Sequence, residues 1–581
     1  MRLVNFVRNA GLAGATVFEH LGDDPAVLAL QVSRRLPGSM VRPLAAAASK
    51  APGELLPVMA AVVEGRKPDA EKRLMRAMNG RVSPRSAVRL ADVATAAALP
   101  EIAEKLLASV PQTSRGWAGA HARLCWYHGQ MSEAVAVLGR EGVSAAERRQ
   151  QARLASELSV FDGWAPSLPV VDGYVPRPRT VLHLLTNSLP YTGSGYAQRS
   201  HSLLTAQSEQ GWAVHAVTRV GYPVQIGRLD AGKTDLLDGV TYHRQLPLRL
   251  PQGMAARLQL QAEELQRLAL LVRPMVLHTT THFVNGLVVR AVAESLGIPW
   301  IYEVRGQLAD TWASTRGEDA KQSERYRKFL AREADVMKTA GAVATLGEAM
   351  RERIVDAGVP LEDTFLLPNA VGGDFLDEPI APAEARARLG LPTDGTFIGT
   401  VSSLVDYEGL DDLLQAFALL APQHPELRCL IVGDGIAGPG LKRLAAELGL
   451  GDRALFPGRV PREQAHLYHQ ALDIFVVPRK DYPVTRMVTP LKPVEALASG
   501  RPVVFSDLPA LHEVVREGVD GLSARPGDAE DLADTLGTML QNESRRAAMG
   551  SAGRQYTVAM RTWMSLAEAT AKTYMEMESA L

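Results

Sequence analysis

Along roughly the first 160 positions apolar residues return every third or fourth place, as in "AEKRLMRAM" and "LPEIAEKLLASV", the spacing that paints one stripe on a helix. Gly80, Pro84, Pro100, Gly129 and Gly142 interrupt the pattern, so it predicts short helices of about 10–14 residues joined by turns. "GWAGAHARLCWYHGQMSEAVAVLGREG" reads as a helical hairpin that turns near Gly129. It resembles one tetratricopeptide-type unit, although no clean 34-residue repeat runs through the region. Residues 1–162 are therefore expected to form an all-α domain.

The stretch 163–179, "GWAPSLPVVDGYVPRPR", breaks this pattern with Pro166, Pro169, Pro176 and Pro178. Prolines at that density favour an extended chain, and a linker is expected. From Thr180 onward short apolar runs alternate with amphipathic helical stretches, the grammar of a parallel sheet covered on both faces. "TVLHLLT" (180–186), "MVLHTTT" (275–281) and "PWIYEVRG" (299–306) are strands of a first such domain, 180–370. "TFIGTVSSL", "ELRCLIVGDG", "RALFPGRV", "DIFVVPRK" and "RPVVFSD" are strands of a second, 371–550. Residues 551–581 are expected to form a C-terminal helix, with a crossing back to the first sheet domain as an option. Two doubly wound domains in tandem usually face each other across a cleft, and ligands bind beyond the carboxyl ends of their strands.

Composition adds exclusions rather than detail. The chain has 581 residues, 46% hydrophobic and 22% charged, with a formal net charge of −1. Such a balance gives no electrostatic case for nucleic-acid binding. Cys125 and Cys429 are the two cysteines, too few and too far apart for a disulfide framework or a thiolate metal site. No run of 18 apolar residues occurs, so no membrane-spanning helix is expected. The opening "MRLVNFVRNAGLAGATVFEHLGDD" lacks the apolar region of a signal segment, and the cytoplasm is the expected location.

Candidate chemistry begins at "TGSGY". Gly193, Ser194 and Gly195 follow a strand and open a helix, where backbone N–H groups can hold an anion. The loop matches neither the dinucleotide fingerprint nor the Walker A pattern. At the end of "MVLHTTTHFVNG" stand His278 and His282, four apart but without a third ligand for a metal. Arg305 and Gly306 follow the next strand and suit acceptor-side or phosphate contacts. In the second domain Gly433 and Gly435 of "IVGDG", Gly458, Arg459 and Val460 of "FPGRV", and "RMVTPLKPVEALASGRPVVFSD" fall in one order.

That ordered set, with "TGSGY", "YEVRG" and "LPNAV" before it, resembles the retaining family 4 glycosyltransferases over roughly residues 180–581. The resemblance implies two facing Rossmann-like domains of the B-type architecture, after the helical region. It also implies a nucleotide-sugar donor, linked to UDP or GDP, and no metal or other cofactor. By the same resemblance Glu495 accepts the ribose hydroxyls of the donor. The turn at Pro490 and Leu491 presents backbone to the diphosphate, and a His of the stretch "LHTTTHFVNG" lies near the sugar and the acceptor, with His282 preferred to His278 because it lies further into the loop. His278 is assigned to the strand end, with Arg305 and Gly306 on the acceptor side. The chain departs from the family pattern at three places. Met487 stands where a second Glu is common, and Ser403 and Glu408 occupy the places of an Arg and a Lys that meet the diphosphate. Leaving-group charge still has to be met, and Arg486 and Lys492 are the expected substitutes, with Glu408 orienting one of them.

The expectation is therefore a retaining transferase of hexosyl type, using a sugar or lipid-linked acceptor in bacterial cell-surface polysaccharide or glycolipid synthesis. A protein partner for the helical region and peripheral contact with the inner face of the membrane are kept as options, and no nucleic acid is expected. The alternatives are a non-catalytic sugar- or partner-binding protein on a vestigial B-type fold, and a sugar-nucleotide epimerase.

Overall fold

A computed structural model describes residues 5–6, 8–14, 38–80 and 82–579. The opening segment read above for a signal sequence lies largely outside the described residues. Short helices fill the region up to Phe161, among them Leu55–Val63, Pro84–Ala96, Trp117–Tyr127, Met131–Leu138 and Ala145–Phe161. Their starts are written locally. Ser83 accepts the Ser86 N–H with Pro84 in the first turn, and Ser144 forms a reciprocal capping box with Glu147. Gly129, at φ +79°, turns the expected hairpin. A Cβ there would come within 2.8 Å of the Trp312 ring, so this glycine also lets the hairpin touch the first sheet domain.

That domain holds β1 (Thr180–Leu185), β2 (Ala213–Thr218), β3 (Thr234–Leu237), β4 (Val240–Arg244), β5 (Val276–Thr280), β6 (Trp300–Val304), β7 (Ala342–Thr345) and β8 (Thr364–Leu366). They form one sheet in the order β3-β4-β2-β1-β5-β6-β7-β8. Only β3 runs antiparallel to its neighbour, through a hairpin at Asp238 and Gly239, both at positive φ. The second domain holds β9 (Thr396–Val401), β10 (Leu427–Val432), β11 (Ala454–Gly458), β12 (Ile474–Val477), β13 (Val503–Ser506) and β14 (Gly521–Ala524). Its order is β11-β10-β9-β12-β13-β14, parallel throughout. Strands β1, β5, β6, β12 and β13 are buried at every residue, as parallel strands roofed by helices on both faces must be.

In both sheets the strand order reverses in the middle: between β1 and β5 in one, between β9 and β12 in the other. Loops leaving the two central strands diverge there and open a crevice. The chain ends by crossing domains. Helix Glu543–Met560 packs on Lys492–Ala498, and after a bend at Arg561 helix Trp563–Ser579 packs on Gly195–Glu209 of the first sheet domain.

The expected linker does not hang free. Val171 N–H donates to Ser295, Arg177 N–H to Arg273, and the Tyr174 hydroxyl to Pro274 O at 2.8 Å. Trp164, Leu168 and Val171 pack on the same apolar cluster as Phe283, Leu287 and Val336, to which Met131, Val160 and Phe161 of the helical region also belong. Prolines kept the stretch extended, and its apolar residues then laid it along the domain.

Candidate functional site

Loops at the carboxyl edges of seven strands, β1, β5, β6, β9, β10, β11 and β12, carry the candidates, three in the first sheet domain and four in the second. In the second domain β9 leads to Ser402, Ser403 and Glu408, while β12 leads to Arg479 and then to Lys492 and Glu495. Gly409, at φ +66°, lets these two loops close on each other, since a Cβ there would sit 1.7 Å from Pro478 O. The backbone contact sets Glu408 beside Arg479 at 3.2 Å and beside Lys492 Nζ at 2.6 Å. Lys492 Nζ also donates to Ser402 Oγ at 3.0 Å, and Arg479 Nη1 to Val488 O at 2.9 Å.

Burial works against the Glu408 charge, but Arg479 and then Lys492 overcome it and hold the carboxyl down at about 2. Burial pushes the Lys492 ammonium down to about 8, with Glu408 pulling upward and Arg479 pushing downward. Both partners thus shift the same way. The ionised carboxylate is the firm member, and the lysine is the one whose charge responds to its surroundings.

Glu495 lies one turn beyond Lys492, on the same helix face. Its Oε2 is 3.5 Å from Nε2 of His469, whose ring is buried and stacked on Phe475 at 5.0 Å. The Glu495 side chain is 23% exposed, enough for a ligand to reach its carboxylate. Gly433, at φ +134°, has Ser402 O 1.8 Å from where its Cβ would be, and Gly435 meets Leu404 in the same way. These two glycines hold the loops after β9 and β10 in backbone contact, and Gly458 accepts the Gly433 N–H.

In the first domain Ser194 caps helix Gly195–Glu209 by accepting the Ala197 N–H, and Gly193 and Gly195 flank it. A Cβ on Gly193 would lie 3.7 Å from the Arg459 guanidinium of the second domain, and Arg462 donates to Gln198. The glycine loop and the loop after β11, where Val460 follows Arg459, therefore face each other across the cleft. His282 caps helix Phe283–Leu296 by accepting the Val284 N–H through Nδ1. Burial, with Arg325 adding to it, pushes this imidazole down to about 4. It is neutral near pH 7, and with Nδ1 as acceptor the hydrogen resides on Nε2.

Three expected residues take other places. Arg486 is half exposed and bound bidentately to Asp481 at 2.5 and 2.6 Å, outside the Glu408 cluster, because the helix Pro483–Met487 turns it to the surface. Arg479, seven positions upstream, occupies the place beside Lys492. Arg305 donates to Ser200 at 2.6 Å and to Glu303 at 2.6 Å and covers the Tyr196 ring. It ties helix Gly195–Glu209 to β6 rather than standing open in the cleft, while Gly306 beside it faces open space. His278 is fully buried on β5, hydrogen-bonded to Tyr574 at 2.6 Å and 3.7 Å from Glu303. Arg199 completes this buried group, binding Glu303 at 2.7 Å and Asn369 at 3.0 Å, and Asn369 in turn donates to Thr489 O beside Pro490 and Leu491.

His469, Gly409 and the Arg199–Glu303 pair carried no motif by which the sequence could single them out. Among the described residues no group of three or more His, Cys, Asp or Glu side chains is arranged to hold a metal ion.

Comparison with known proteins bears on the two sheet domains. Residues 383–556 match the family described as "Glycosyl transferases group 1", and residues 194–370 match "Glycosyl transferase 4-like domain". The two sheet domains form a B-type glycosyltransferase fold. Sucrose-phosphate synthase from Thermosynechococcus elongatus shares this fold with a TM-score of 0.57 and 22% identity, over 69% of this chain and all of that one. HepE of Anabaena, solved in complex with UDP, gives 0.53 and 17% over 68% of this chain and 100% of its own. Likeness at these identities speaks for the fold alone. Among curated relatives, a GDP-mannose-dependent alpha-(1-6)-phosphatidylinositol monomannoside mannosyltransferase of Mycolicibacterium smegmatis is 31% identical, over 39% of this chain and 59% of the relative. A D-inositol 3-phosphate glycosyltransferase of Nocardia farcinica is 32% identical, over 42% and 54%. The chain thus spans little more than half the length of these relatives, and the helical region lies outside both family matches.

Proposed function

We propose that this protein is a retaining glycosyltransferase that moves a hexose from a nucleotide sugar to a hydroxyl of a sugar or lipid-linked acceptor. The observation that carries the reading is the Arg479–Glu408–Lys492 cluster with Glu495 one turn beyond, at the strand-order reversal and opposite the Gly193–Gly195 loop. Two cations held by one carboxylate leave a single positive charge, preorganised and half-dry, where a leaving diphosphate gains negative charge. Preorganised charge of this kind is commonly the largest contribution to catalysis. Glu495 accepts from the ribose diol, since a carboxylate takes two hydroxyl protons at once, and His469 fixes its orientation. Neutral His282 donates from Nε2 to sugar or acceptor oxygen. With no protein nucleophile assigned, the acceptor hydroxyl attacks the face that the diphosphate leaves, and a phosphate oxygen takes its proton. Ser403 and Glu408, in place of the family's Arg and Lys, are reconciled by Arg479 and Lys492.

The relatives' names support GDP-mannose as one donor to try, and UDP in HepE supports UDP-sugars as another. A role in cell-surface polysaccharide or glycolipid assembly, at the cytoplasmic side of the membrane, follows from the same reading. No described helix is long and apolar enough to cross a membrane. The experiment is a thermal-stability and hydrolysis screen of UDP- and GDP-sugars against the full chain and Glu495→Ala. A donor at a hundred times its dissociation constant adds about 2.7 kcal/mol, a readily measured rise in melting temperature. Loss of that rise in a folded Glu495→Ala is expected, at about 3 kcal/mol or more for two charge-assisted hydrogen bonds. No response to any donor in the native chain would sink the reading.

A further inference from the structure

Away from the donor cleft, where the helical region meets the first sheet domain, lies a cavity of about 490 Å³. That is within the usual range for small-ligand sites, about 300–1,000 Å³. Positive charge is in excess: four arginines, Arg123, Arg153, Arg316 and Arg325, and one acid, Asp92, line it, and Arg325 is also paired with Glu157 at 3.4 Å. Asp92 is bound bidentately by Arg123 at 2.7 and 2.8 Å.

The remaining wall alternates guanidinium and aromatic groups. Arg316 lies 4.9 Å from the Tyr127 ring and 4.8 Å from the Trp312 ring, and Arg325 lies 5.6 Å from Trp312 and 5.8 Å from Trp126. Arg316 donates to Trp312 O and Thr315 Oγ1, and its Nε is buried without a hydrogen-bond partner. Burial lowers the Arg316 pKa, Tyr127 opposes that, and the neighbouring cation Arg325 lowers it further. Crowded cations at a buried surface are relieved by an anion. Aromatic rings at the same surface supply flat apolar faces with polar edges, which suit the C–H face of a pyranose.

We propose that this cavity is a binding site for an anionic saccharide. A carboxylate or phosphate on the sugar pairs with the Arg316 and Arg325 guanidinium groups, which match such oxygens in a planar fork, and the ring lies against Trp312 and Tyr127. Trp312 stands on helix Leu308–Ala313, which follows β6 and touches helix Pro483–Met487 of the second domain. The cavity is therefore one helix away from the cleft, on the side of the first domain. Assigning the saccharide to the acceptor rests on the transferase reading, whereas the binding itself does not.

The test is titration calorimetry of the full chain at physiological ionic strength with tetragalacturonate, mannose 6-phosphate and, as the neutral control, maltotetraose. Either anionic probe is expected to bind and maltotetraose is not. Arg316→Gln should weaken binding about tenfold or more, as loss of a charge-assisted hydrogen bond does. Thr315→Trp, at an exposed rim position, should fill the cavity and abolish binding without lowering the melting temperature. Absence of binding by both anionic probes, equal binding of maltotetraose, or affinity that survives both substitutions would overturn the proposal. Parallel titrations with UDP-glucose and GDP-mannose separate the two readings: saccharide binding without donor binding removes only the transferase, and donor binding without saccharide binding removes only this site.

Discussion

A single exchange of arginines carries much of the chemistry. Arg479 and Arg486 are seven residues apart, yet one is buried against Glu408 and the other is tied to Asp481 at the surface. Arg479→Met should leave Glu408 and Lys492 to share a site built for three charges. Removing one partner of a buried pair typically costs about 3–5 kcal/mol, so both stability and transfer are expected to fall. Arg486→Met should keep near-native rate and melting temperature, because exposed pairs contribute about 0–1 kcal/mol. Steady-state rates and melting curves of the two variants decide the matter, and a slow, stable Arg486→Met would return that residue to the site. Lys492 predicts a pH profile. Its free-state pKa is lowered to about 8, so the ammonium is present below that value and lost above it. Donor or UDP affinity should then be level near neutrality and decline as pH rises through about 8. Lys492→Met should bind weakly with a flat profile over the same range, which calorimetry at several pH values can follow.

At the scale of elements, helix ends from one domain are finished by the other. Glu513 accepts from the N–H groups of Glu348 and Ala349 at 2.6 and 2.9 Å, capping helix Glu348–Asp356 across the cleft. A carboxylate there satisfies orphan donors and meets the positive end of the helix. Gly347 leaves the room for it, since a Cβ would stand 2.1 Å from Glu513 Oε2. Glu513→Ala is expected to cost about 0.5–2 kcal/mol, and Gly347→Ala should act in the same direction by displacing the carboxylate. Small-angle scattering should register wider domain separation in both; unchanged profiles would make the cap local. Element reading also explains what the sequence pattern missed. The β3–β4 hairpin is signalled by "LLDGVTY", a Asp-Gly turn between apolar runs, but its strands are short and lie at the sheet edge. Strand β8 has three residues and β14 four, too few for a period to stand out.

For the whole molecule, the decisive fact is a shared core. Phe161 packs edge-on to Phe283 at 5.3 Å and near Phe329 at 6.1 Å, and Glu157, Asp162 and Ser132 bind Arg325, Lys328 and Glu324. A chain beginning at Arg179 would uncover Phe283 and Phe329, together with the groove that residues 163–179 fill. It is expected to aggregate or lose cooperative unfolding, judged by size-exclusion chromatography and calorimetry. A monodisperse, cooperatively melting product that binds donor would instead make the helical region a separable module. The same interface forms the arginine-lined cavity, and most of its lining comes from the helical region.

Local pattern was enough for the helical opening, the alternation of buried strands and helices, the two sheets and the ordered glycine loops. Each of these depends on neighbours within a turn or a strand, and periodicity records such neighbours directly. Glu495 was marked by the family resemblance, and Lys492 by the cations that the family pattern lacks here. Tertiary structure decided the rest. Which arginine joins Lys492 depends on the meeting of loops after β9 and β12, about 70 residues apart in the chain. Arg305 stands just past its strand, but its guanidinium is engaged by Glu303 and Ser200, and His278 lies mid-strand with Nδ1 engaged by Tyr574 from the far C-terminal helix. The connector's prolines fixed its extended backbone and said nothing of the surface beneath it. Burial and ion pairing are properties of what surrounds a side chain, and along most of this chain those surroundings come from distant segments.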